Sequence, residues 1–373
     1  MGFDIAAYYF PNYHIDATNE EVHGPGWTEW ELVKHATPRF PGHQQPKVPL
    51  WGYEDESAPA VMQKKIDAAV DAGINIFIFD WYYYRNGPCR HKALEEGFLR
   101  ASNNNRMKFA VMWANHDWLN IHPAGRTRPY EVLVPGDIDR QTFVEATNRV
   151  INVYFSHPSY WRIDGALYFS IYELGKLIEN LGGVESTKAA FQDFRHRVRD
   201  AGLGNVHLNA VVWGLQNLPN ESILTNPSVI LRELEFDSAT SYVWIHHILL
   251  QHFPSTAYRD YWRASLLKMK ELSEELGLDF FPNVTMGWDP SPRTIQTEVY
   301  ENIGYPYTSV LVDNTPEEFL MALKEVKKLV DANDTGHKII TINAWNEWTE
   351  GSYLEPDTIH GFEYLNAIKE VFC

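Results

Sequence analysis

Eight short runs rich in Val, Ile, Phe and Tyr recur along this chain, and longer segments with helical periodicity separate them. Each run is largely continuous in apolar residues, which is typical of β-strands covered on both faces. Alternation of such strands with helices implies right-handed crossovers and a parallel sheet. The runs predict strands at about 3–10, 75–82, 108–114, 166–171, 206–213, 237–243, 280–286 and 338–345.

The intervening segments predict the helices of an α/β fold. Thr315 is a candidate N-cap before Pro316, and Glu317 and Glu318 follow in the first turn. Eight strands in one uninterrupted composition favour a closed (β/α)8 TIM barrel over an open doubly wound sheet, as a single domain spanning residues 1–373. The apolar stripe of the predicted helix 258–276 is expected to contain Leu266, Leu267, Met269 and Leu272. The predicted helices are 59–72, 140–155, 185–200, 258–276, 316–330 and 361–372.

The connection after the first strand is unusually long. We call residues 11–57 the flap. Its aromatic content argues against disorder, because a solvated tail would not carry so many large apolar rings. The flap is therefore predicted to be an ordered loop over one end of the barrel. Its large aromatic residues are Trp27, Trp30, Phe40, Trp51 and Tyr53.

Composition excludes several classes of protein. The chain has 32 Lys and Arg against 49 Asp and Glu, a net charge of −17, which opposes binding to nucleic acid or to an anionic membrane surface. No apolar run approaches the length of a membrane span. The chain begins in a strand-like run with no signal segment in view, so it is expected to be cytoplasmic as it stands, or periplasmic or secreted if a signal was removed.

Other chemistries lack their signatures. Two cysteines, Cys89 and Cys373, do not make a disulfide scaffold or a cysteine-rich metal site. Histidines 246, 247 and 252 cluster, but without the spacing of a zinc site. No dinucleotide-binding or P-loop turn follows a strand, and no nucleophile elbow is present. We therefore expect neither a metal nor another cofactor.

Aromatic side chains interleaved with carboxylates and amides follow almost every predicted strand. In (β/α)8 enzymes, reacting groups project from the C-terminal ends of the strands. Sugar rings have apolar C–H faces and hydroxyl rims, so their sites need stacking platforms and polar partners. The alternative to a sugar-binding role is that these aromatic residues are simply buried at the rim of the barrel. The pattern favours an oligosaccharide or polysaccharide substrate.

The segment Glu347-Trp348-Thr349-Glu350 follows the last strand. Cleavage of a glycosidic bond usually needs two carboxylic groups. Residues three apart share a face only in a turn, so the pair serves one site if the strand has ended by about Asn346. Gly351 directly afterwards fits a chain that leaves the strand. The alternative is a pair of solvated glutamates.

Several motifs resemble those of the WbsX-type domain, which is similar to glycoside hydrolase family 99, the endo-α-mannosidases and endo-α-mannanases. The resemblance covers nearly the whole chain. It rests on Tyr8–His14, Gly26–Trp30, Phe40–Pro46, Trp113–Asn115, Gly287–Asp289 and above all Asn343–Asp357.

This resemblance implies a (β/α)8 barrel that cleaves α-mannosidic linkages with retention. Glu350 would be the general acid/base. Glu347 would deprotonate the sugar 2-hydroxyl, so that the 2-oxygen attacks the anomeric carbon and forms a 1,2-anhydro sugar. That chemistry requires an ionised Glu347 beside a protonated Glu350. Thr349 stands where family 99 typically has His.

Members of the WbsX-type group often lie in polysaccharide loci and have been described as glycosyltransferases. A transferase of surface polysaccharide, such as lipopolysaccharide O-antigen, is therefore the alternative function, although we find no DxD motif for the diphosphate of a nucleotide sugar. A carbohydrate-binding protein without catalysis is a third. Trp27 and Trp30 are expected to contact substrate or to anchor the flap, and Arg293 to pair with Asp289 or to read an anionic sugar. The residues expected around the cleaved bond are Tyr8, Asp80, Trp113, Asn115, Trp288 and Asn346.

Overall fold

A computed structural model describes residues 2–128, 130–217, 220–332 and 336–373. The core is one parallel sheet, with the strand order β7-β6-β5-β4-β3-β2-β1-β9-β8. Its strands are β1 (Asp4–Tyr9), β2 (Ile76–Tyr84), β3 (Lys108–Trp113), β4 (Ala166–Ile171), β5 (Val206–Val211), β6 (Ser238–Thr240), β7 (Asp279–Phe281), β8 (Asn283–Thr285) and β9 (Ile339–Asn343).

The sheet closes into a barrel at Pro282. β7 and β8 flank this proline and are the two halves of the seventh barrel strand, so the run predicted as unbroken is interrupted. Proline has no N–H for the ladder, but its carbonyl accepts from Thr341 N at 3.0 Å. The predicted (β/α)8 barrel is therefore confirmed, as a nearly closed parallel sheet.

The sixth strand is shorter than predicted. It ends at Thr240, because Trp244 N donates to Thr285 Oγ1 at 3.0 Å instead of continuing the ladder. Residues beyond Thr240 are thereby free to turn into the mouth of the barrel.

Most predicted helices are present. Thr315 Oγ1 accepts from Glu318 N at 3.4 Å, as expected for the cap. The segment 140–155 divides into an α-helix and a π-helical turn at Val150–Phe155. The α-helices are α1 (Ala17–His23), α2 (Trp30–His35), α3 (Pro59–Asp71), α4 (Arg140–Arg149), α5 (Leu174–Asn180), α6 (Val184–Asp200), α7 (Pro227–Glu233), α8 (Tyr258–Leu276), α9 (Pro316–Ala332) and α10 (Glu363–Phe372).

One residue of the predicted α8 stripe faces solvent. Leu267 is 65% exposed, whereas Met269 and Leu272 are buried. The buried face is instead widened by Tyr261 and Trp262, one turn earlier, because large aromatic rings cover more of the barrel wall than leucine does. None of the helices in these described ranges is long and apolar enough to cross a bilayer.

The flap is ordered, as predicted, and carries α1 and α2. Glu56 near its end accepts from Tyr13 N at 2.8 Å and from Tyr9 Oη at 2.9 Å, which ties the flap to β1. His43 and Gln45 donate to Asp289 at 2.8 and 2.7 Å, which ties it to the loop after β8. The flap is therefore fastened at both sides of the barrel mouth.

The segment after β9 is held by a buried carboxylate. The indole nitrogens of Trp345 and Trp348 donate to the two oxygens of Glu355 at 3.0 and 2.7 Å. Lys65 of α3 lies 2.6 Å from the same carboxylate. The remaining short strands are Gly87–Cys89, Trp118–Leu119, Val132–Val134, Arg162–Ile163, Ser255–Ala257, Val310–Val312, Asn346–Glu347 and Ser352–Tyr353.

Candidate active site

A cavity with about 790 Å³ of empty space, partly open to solvent, lies at the C-terminal ends of the barrel strands. This is the end at which (β/α)8 enzymes carry their reacting groups. Its wall combines aromatic rings with carboxylates. The aromatic residues are Phe10, Tyr82, Trp118, Tyr172, Tyr242, Trp288 and Tyr305, and the carboxylates are Asp80, Asp117, Glu221, Glu347 and Glu350.

Glu347 and Glu350 face the same cavity because the chain turns between them. Glu347 ends a two-residue strand, and Trp348–Glu350 form a 3₁₀ turn. Gly351 follows with φ 63°, and a Cβ there would meet Asp289 Cβ at 2.6 Å, so only glycine fits. The two glutamates can serve one site only if the strand ends by about Asn346, and β9 ends at Asn343.

Arg293 organises the carboxylates of the site. It contacts Glu350 through Nη1 and lies 3.3 Å from Glu347 and 3.0 Å from Glu29 through Nη2. The prediction that it might pair with Asp289 is wrong, because Asp289 is occupied by His43 and Gln45 of the flap. A single buried guanidinium thus holds three carboxylates in register.

Glu29 is brought to the site by the flap. It is fully buried and accepts hydrogen bonds from Asn12 and Thr349 as well as from Arg293. Although burial alone would raise its pKa, the Arg293 charge and these hydrogen bonds lower the pKa of Glu29 to about 2. Glu29 is therefore a permanent counter-ion of Arg293 rather than a proton donor.

Glu347 and Glu350 share their environment unequally. Burial raises the pKa of both, and the charge of Glu350 raises the pKa of Glu347 further, to well above its ordinary value. Arg293 and the Tyr305 hydroxyl, 2.6 Å from Glu350, oppose the rise in the pKa of Glu350. Burial and mutual repulsion therefore favour retention of a proton by the Glu347–Glu350 pair in the free protein.

The hydroxyl of Tyr242 requires a protonated partner as well. It lies 2.9 Å from Asp80 Oδ2 and 3.3 Å from Glu347 Oε1. A phenol has one hydrogen, so it donates to one carboxylate and can only accept from the other, which must be protonated. Burial raises the pKa of Asp80 well above its ordinary value. Burial therefore favours the protonated forms of Asp80, Glu347 and Glu350, three of the five carboxyls of the cavity wall.

The raised pKa of Glu347 implies that ionising this residue costs stability. A carboxyl whose folded pKa is raised destabilises the folded state as pH rises above the unfolded pKa, about 4.3. We expect Glu347→Gln to raise the free energy of unfolding at pH 7 by about 1 kcal/mol or more, with the gain vanishing near pH 4. Denaturant unfolding at both pH values measures this, with the exposed Glu363→Gln as control. A loss of stability at pH 7 would contradict it.

Two of the six residues expected around the cleaved bond line the cavity, Asp80 and Trp288. Trp113 instead packs against Phe143 of α4 and donates to the Tyr83 carbonyl at 3.1 Å. Tyr8 lies inside the barrel against Tyr242, with ring centroids 4.6 Å apart.

Asn115 and Asn346 act on the backbone. The Asn115 amide makes both its hydrogen bonds, each 2.9 Å, to the backbone of Glu173. The Asn346 amide pairs in the same way with Phe10 N and O, at 2.8 and 2.7 Å. These amides join neighbouring strand ends and position the loops that form the cavity wall.

The two flap tryptophans differ in their burial and in their contacts. Trp30 is buried and donates to the Glu54 carbonyl at 2.9 Å, so it anchors the flap. Trp27 is half-buried and stacks on His23 at 4.1 Å. Neither belongs to the cavity wall as the described residues define it.

The geometry gives no metal-binding cluster of His, Cys, Asp or Glu within the described parts of the chain. The chain does contain a D-x-D triplet, Asp137-Ile138-Asp139, so the expectation that it has none is wrong. Both aspartates pair with Arg85, and Asp139 also caps α4 by accepting from Thr142 N at 2.8 Å. This triplet stands outside the cavity wall.

Thr349, where family 99 typically has His, completes the Arg293 network. Its hydroxyl accepts from Arg293 Nε at 3.0 Å and donates to Glu29. We expect Thr349→Val, which keeps the shape but removes both contacts, to lower the free energy of unfolding by about 1–3 kcal/mol. The exposed Thr297→Val should change it by about 0.5 kcal/mol at most. Equal effects in denaturant unfolding would contradict the network.

The parallel barrel has the fold of solved glycoside hydrolases of family 99. Residues 5–368 match the model of the family described as glycosyltransferase WbsX, and the chain belongs to that family.

The relatives found are distant. The uncharacterized protein WxcX of Xanthomonas campestris pv. campestris is 26% identical over 383 residues, which cover 98% of this chain and 49% of WxcX, so the chain spans about half the length of this relative. A family 99 endo-α-mannosidase from Bacteroides thetaiotaomicron superposes with TM-score 0.59 and 16% identity, over 98% of this chain and 95% of that one. A glycoside hydrolase-like protein superposes with TM-score 0.61 and 16% identity, over 100% and 94%. At these identities the structural likeness shows the fold alone.

Proposed function

We propose that this protein is a retaining glycoside hydrolase that cleaves α-linked, mannose-like glycans. The observation that carries the proposal is the placement of Glu347 and Glu350 on one face of a turn inside an aromatic-walled cavity. Such a pair supplies the proton donor and the second carboxylate that glycosidic cleavage needs. The α-linkage is carried over from the resemblance of the segment Asn343–Asp357 to family 99.

Glu350 is the proposed general acid/base, and Glu347 the group that deprotonates the sugar 2-hydroxyl. In the free protein burial and mutual repulsion favour retention of a proton by the Glu347–Glu350 pair. A 2-hydroxyl that donates a hydrogen bond to Glu347 stabilises its carboxylate form. The proton is then available to Glu350, which protonates the leaving oxygen as the 2-oxygen attacks the anomeric carbon. Substrate binding thus sets the protonation order that the chemistry requires.

A screen of α-linked di- and oligosaccharides, read by chromatography and mass spectrometry, tests this function. Cleavage by the parent protein and none by Glu350→Gln would establish a glycosidase and identify the linkage. Cleavage that persists in both Glu350→Gln and Glu347→Gln would refute the proposed site.

The second candidate is a glycosyltransferase of surface polysaccharide, which the description of the matched family favours. A nucleotide-sugar donor needs a site for its diphosphate, and Asp137 and Asp139 are engaged with Arg85 outside the cavity. Calorimetry with nucleotide sugars separates the candidates. Specific binding of a nucleotide sugar without glycan cleavage would favour the transferase.

A further inference from the structure

Arg90 is a second arginine in the cavity wall, and it takes no part in the Arg293 network. Its guanidinium lies between two rings, 4.8 Å from the centroid of Tyr82 and 4.3 Å from that of Trp118. The side chain is 4% exposed. Its Nε and Nη2 are buried without a hydrogen-bond partner, and none of the carboxylates in the described residues forms an ion pair with it.

A buried guanidinium without a counter-ion is costly. Desolvating a charged group costs several kcal/mol in a protein interior. Stacking on aromatic rings returns about 0.5–2 kcal/mol and leaves the N–H donors unsatisfied. The backbone of Arg90 is also in the left-handed region, at φ 52°, where its N–H donates to Asp16 at 2.9 Å. Holding the Arg90 side chain in this position therefore lowers the stability of the fold.

A second unsatisfied donor of the cavity wall belongs to Trp118. Trp118 Nε1 is likewise buried without a partner, and Trp118 shares the cavity wall with Arg90. Guanidinium and indole nitrogens donate hydrogen bonds and accept none. The ligand group that satisfies them best is one that only accepts, and a carboxylate accepts from a guanidinium in a two-point geometry.

Among the described wall residues, Arg90 is the cation with no carboxylate within ion-pair distance of its guanidinium, although the charges of Asp16 and Glu29 act on it from farther away. Arg293 is neutralised by Glu29, which stays ionised, and it also contacts Glu347 and Glu350. His116 and His122 are neutral at pH 7, because burial lowers the pKa of His116 to about 4 and that of His122 to about 3.

The other wall carboxylates are engaged elsewhere. Asp117 pairs with Lys176 at 2.5 Å. Glu221 accepts from Asn217 N at 2.8 Å and lies beside Tyr172. The positive charge of Arg90 is therefore left for a ligand.

We propose that Arg90, together with Trp118, binds the carboxylate of an acidic sugar, so that the glycan recognised by this cavity contains a uronic acid or a similarly carboxylated residue. The proposal rests on the proposed function for the presence of a glycan, and it names the class of that glycan. The diphosphate of a nucleotide sugar offers related anionic chemistry and is distinguished by the experiment.

The experiment measures binding on the Glu350→Gln variant, so that turnover does not interfere. Saturation-transfer NMR and calorimetry compare D-mannuronate and D-glucuronate with D-mannose and D-glucose. The same comparison is made for α-linked disaccharides with and without a C6 carboxylate. We expect the carboxylated member of at least one pair to bind about tenfold tighter or more.

Variants assign that preference to Arg90. Arg90→Gln should abolish it, and Arg90→Lys should keep only part, because an ammonium lacks the planar fork. Arg85→Gln is the matched control, since Arg85 lies five residues earlier, is 54% exposed and pairs with Asp137, and should leave the preference unchanged. If Arg90→Gln fails to fold, the comparison of neutral and carboxylated sugars on the Glu350→Gln protein still tests the proposal.

Equal affinity for neutral and carboxylated sugars would overturn the proposal, as would a preference that survives Arg90→Gln. Binding of GDP-mannose through Arg90 without binding of uronates would also overturn it, and would assign this arginine to phosphate. Absence of glycan cleavage, with the carboxylate preference intact, would refute the hydrolase while leaving the Arg90 site standing.

Discussion

Replacing Glu350 with Gln is expected to lower turnover of an α-linked glycan by about 10²- to 10⁴-fold while the fold persists. Glu350 lines the cavity, and its carboxylate meets the Tyr305 hydroxyl at 2.6 Å. Glutamine keeps the shape and can still accept from Tyr305, but it cannot protonate a leaving oxygen. The loss should therefore fall on kcat for the cleavage step.

The leaving group distinguishes this chemical role from a structural one. A glycosyl fluoride departs without a proton, so Glu350→Gln should release fluoride in the first turnover almost as fast as the parent does, although the base for the second step is lost. Glu347→Gln should lose activity on both the glycan and the fluoride, because the 2-hydroxyl is then not activated. Glu31→Gln, on α2, is the control. Equal losses on both substrates in Glu350→Gln would contradict its assignment as the acid.

Replacing Arg293 with Met is expected to lower the free energy of unfolding by about 3–5 kcal/mol at pH 7. The change leaves Glu29 fully buried with its charge uncompensated. Arg293→Lys should cost less, because the charge remains but the fork that reaches three carboxylates is lost. Arg259→Met removes a pair with Glu318 in which the arginine is 62% exposed, and it should cost much less than Arg293→Met.

A double-mutant cycle isolates the pair. Glu29→Gln in the Arg293→Met background should recover part of the loss, because it removes the stranded charge. Denaturant unfolding of the parent, the two single variants and the double variant measures the coupling. Additive effects of the two substitutions would show that Glu29 and Arg293 are not coupled.

The same pair makes stability depend on pH. The pKa of Glu29 is lowered to about 2, so its contribution is fully present above the ordinary carboxyl range, near 4.5, and is lost as pH falls from there toward 2. The loss amounts to about 3 kcal/mol. Glu29→Gln should flatten the acid side of the stability profile.

The barrel was predictable because each strand is buried on both faces and reads as a continuous apolar run. The break at Pro282 and the early end of β6 were not, since both depend on hydrogen bonds between distant segments, such as Thr341 N to the Pro282 carbonyl. Likewise, the exposure of Leu267 depends on which face of α8 the barrel covers.

The candidate site was predictable in part. Glu347 and Glu350 were found from local spacing, and Asp80 from its position at a strand end. Strand parity explains the misplaced Trp113 and Asn115. Met112 and Ala114 face the cavity, so the residues that alternate with them point away.

The residues that sequence reasoning missed come from distant loops. Glu29 stands in the Gly26–Trp30 motif, whose charged residue was a usable signal for the partner of Arg293. Tyr305 and Arg90 carry no local signal, because only the closed barrel brings the loops that hold them to one cavity. Tyr242 stands at the end of the sixth predicted strand, and that position was a usable signal.

NMR that follows the anomeric configuration of the first product, on whichever α-linked glycan the parent cleaves, tests the proposed retaining mechanism. Retention predicts that the α-anomer appears first and then mutarotates, and that Glu350→Gln yields no product from the same glycan. Release of the β-anomer first, or an unchanged rate in Glu350→Gln, would contradict the proposed roles of Glu347 and Glu350.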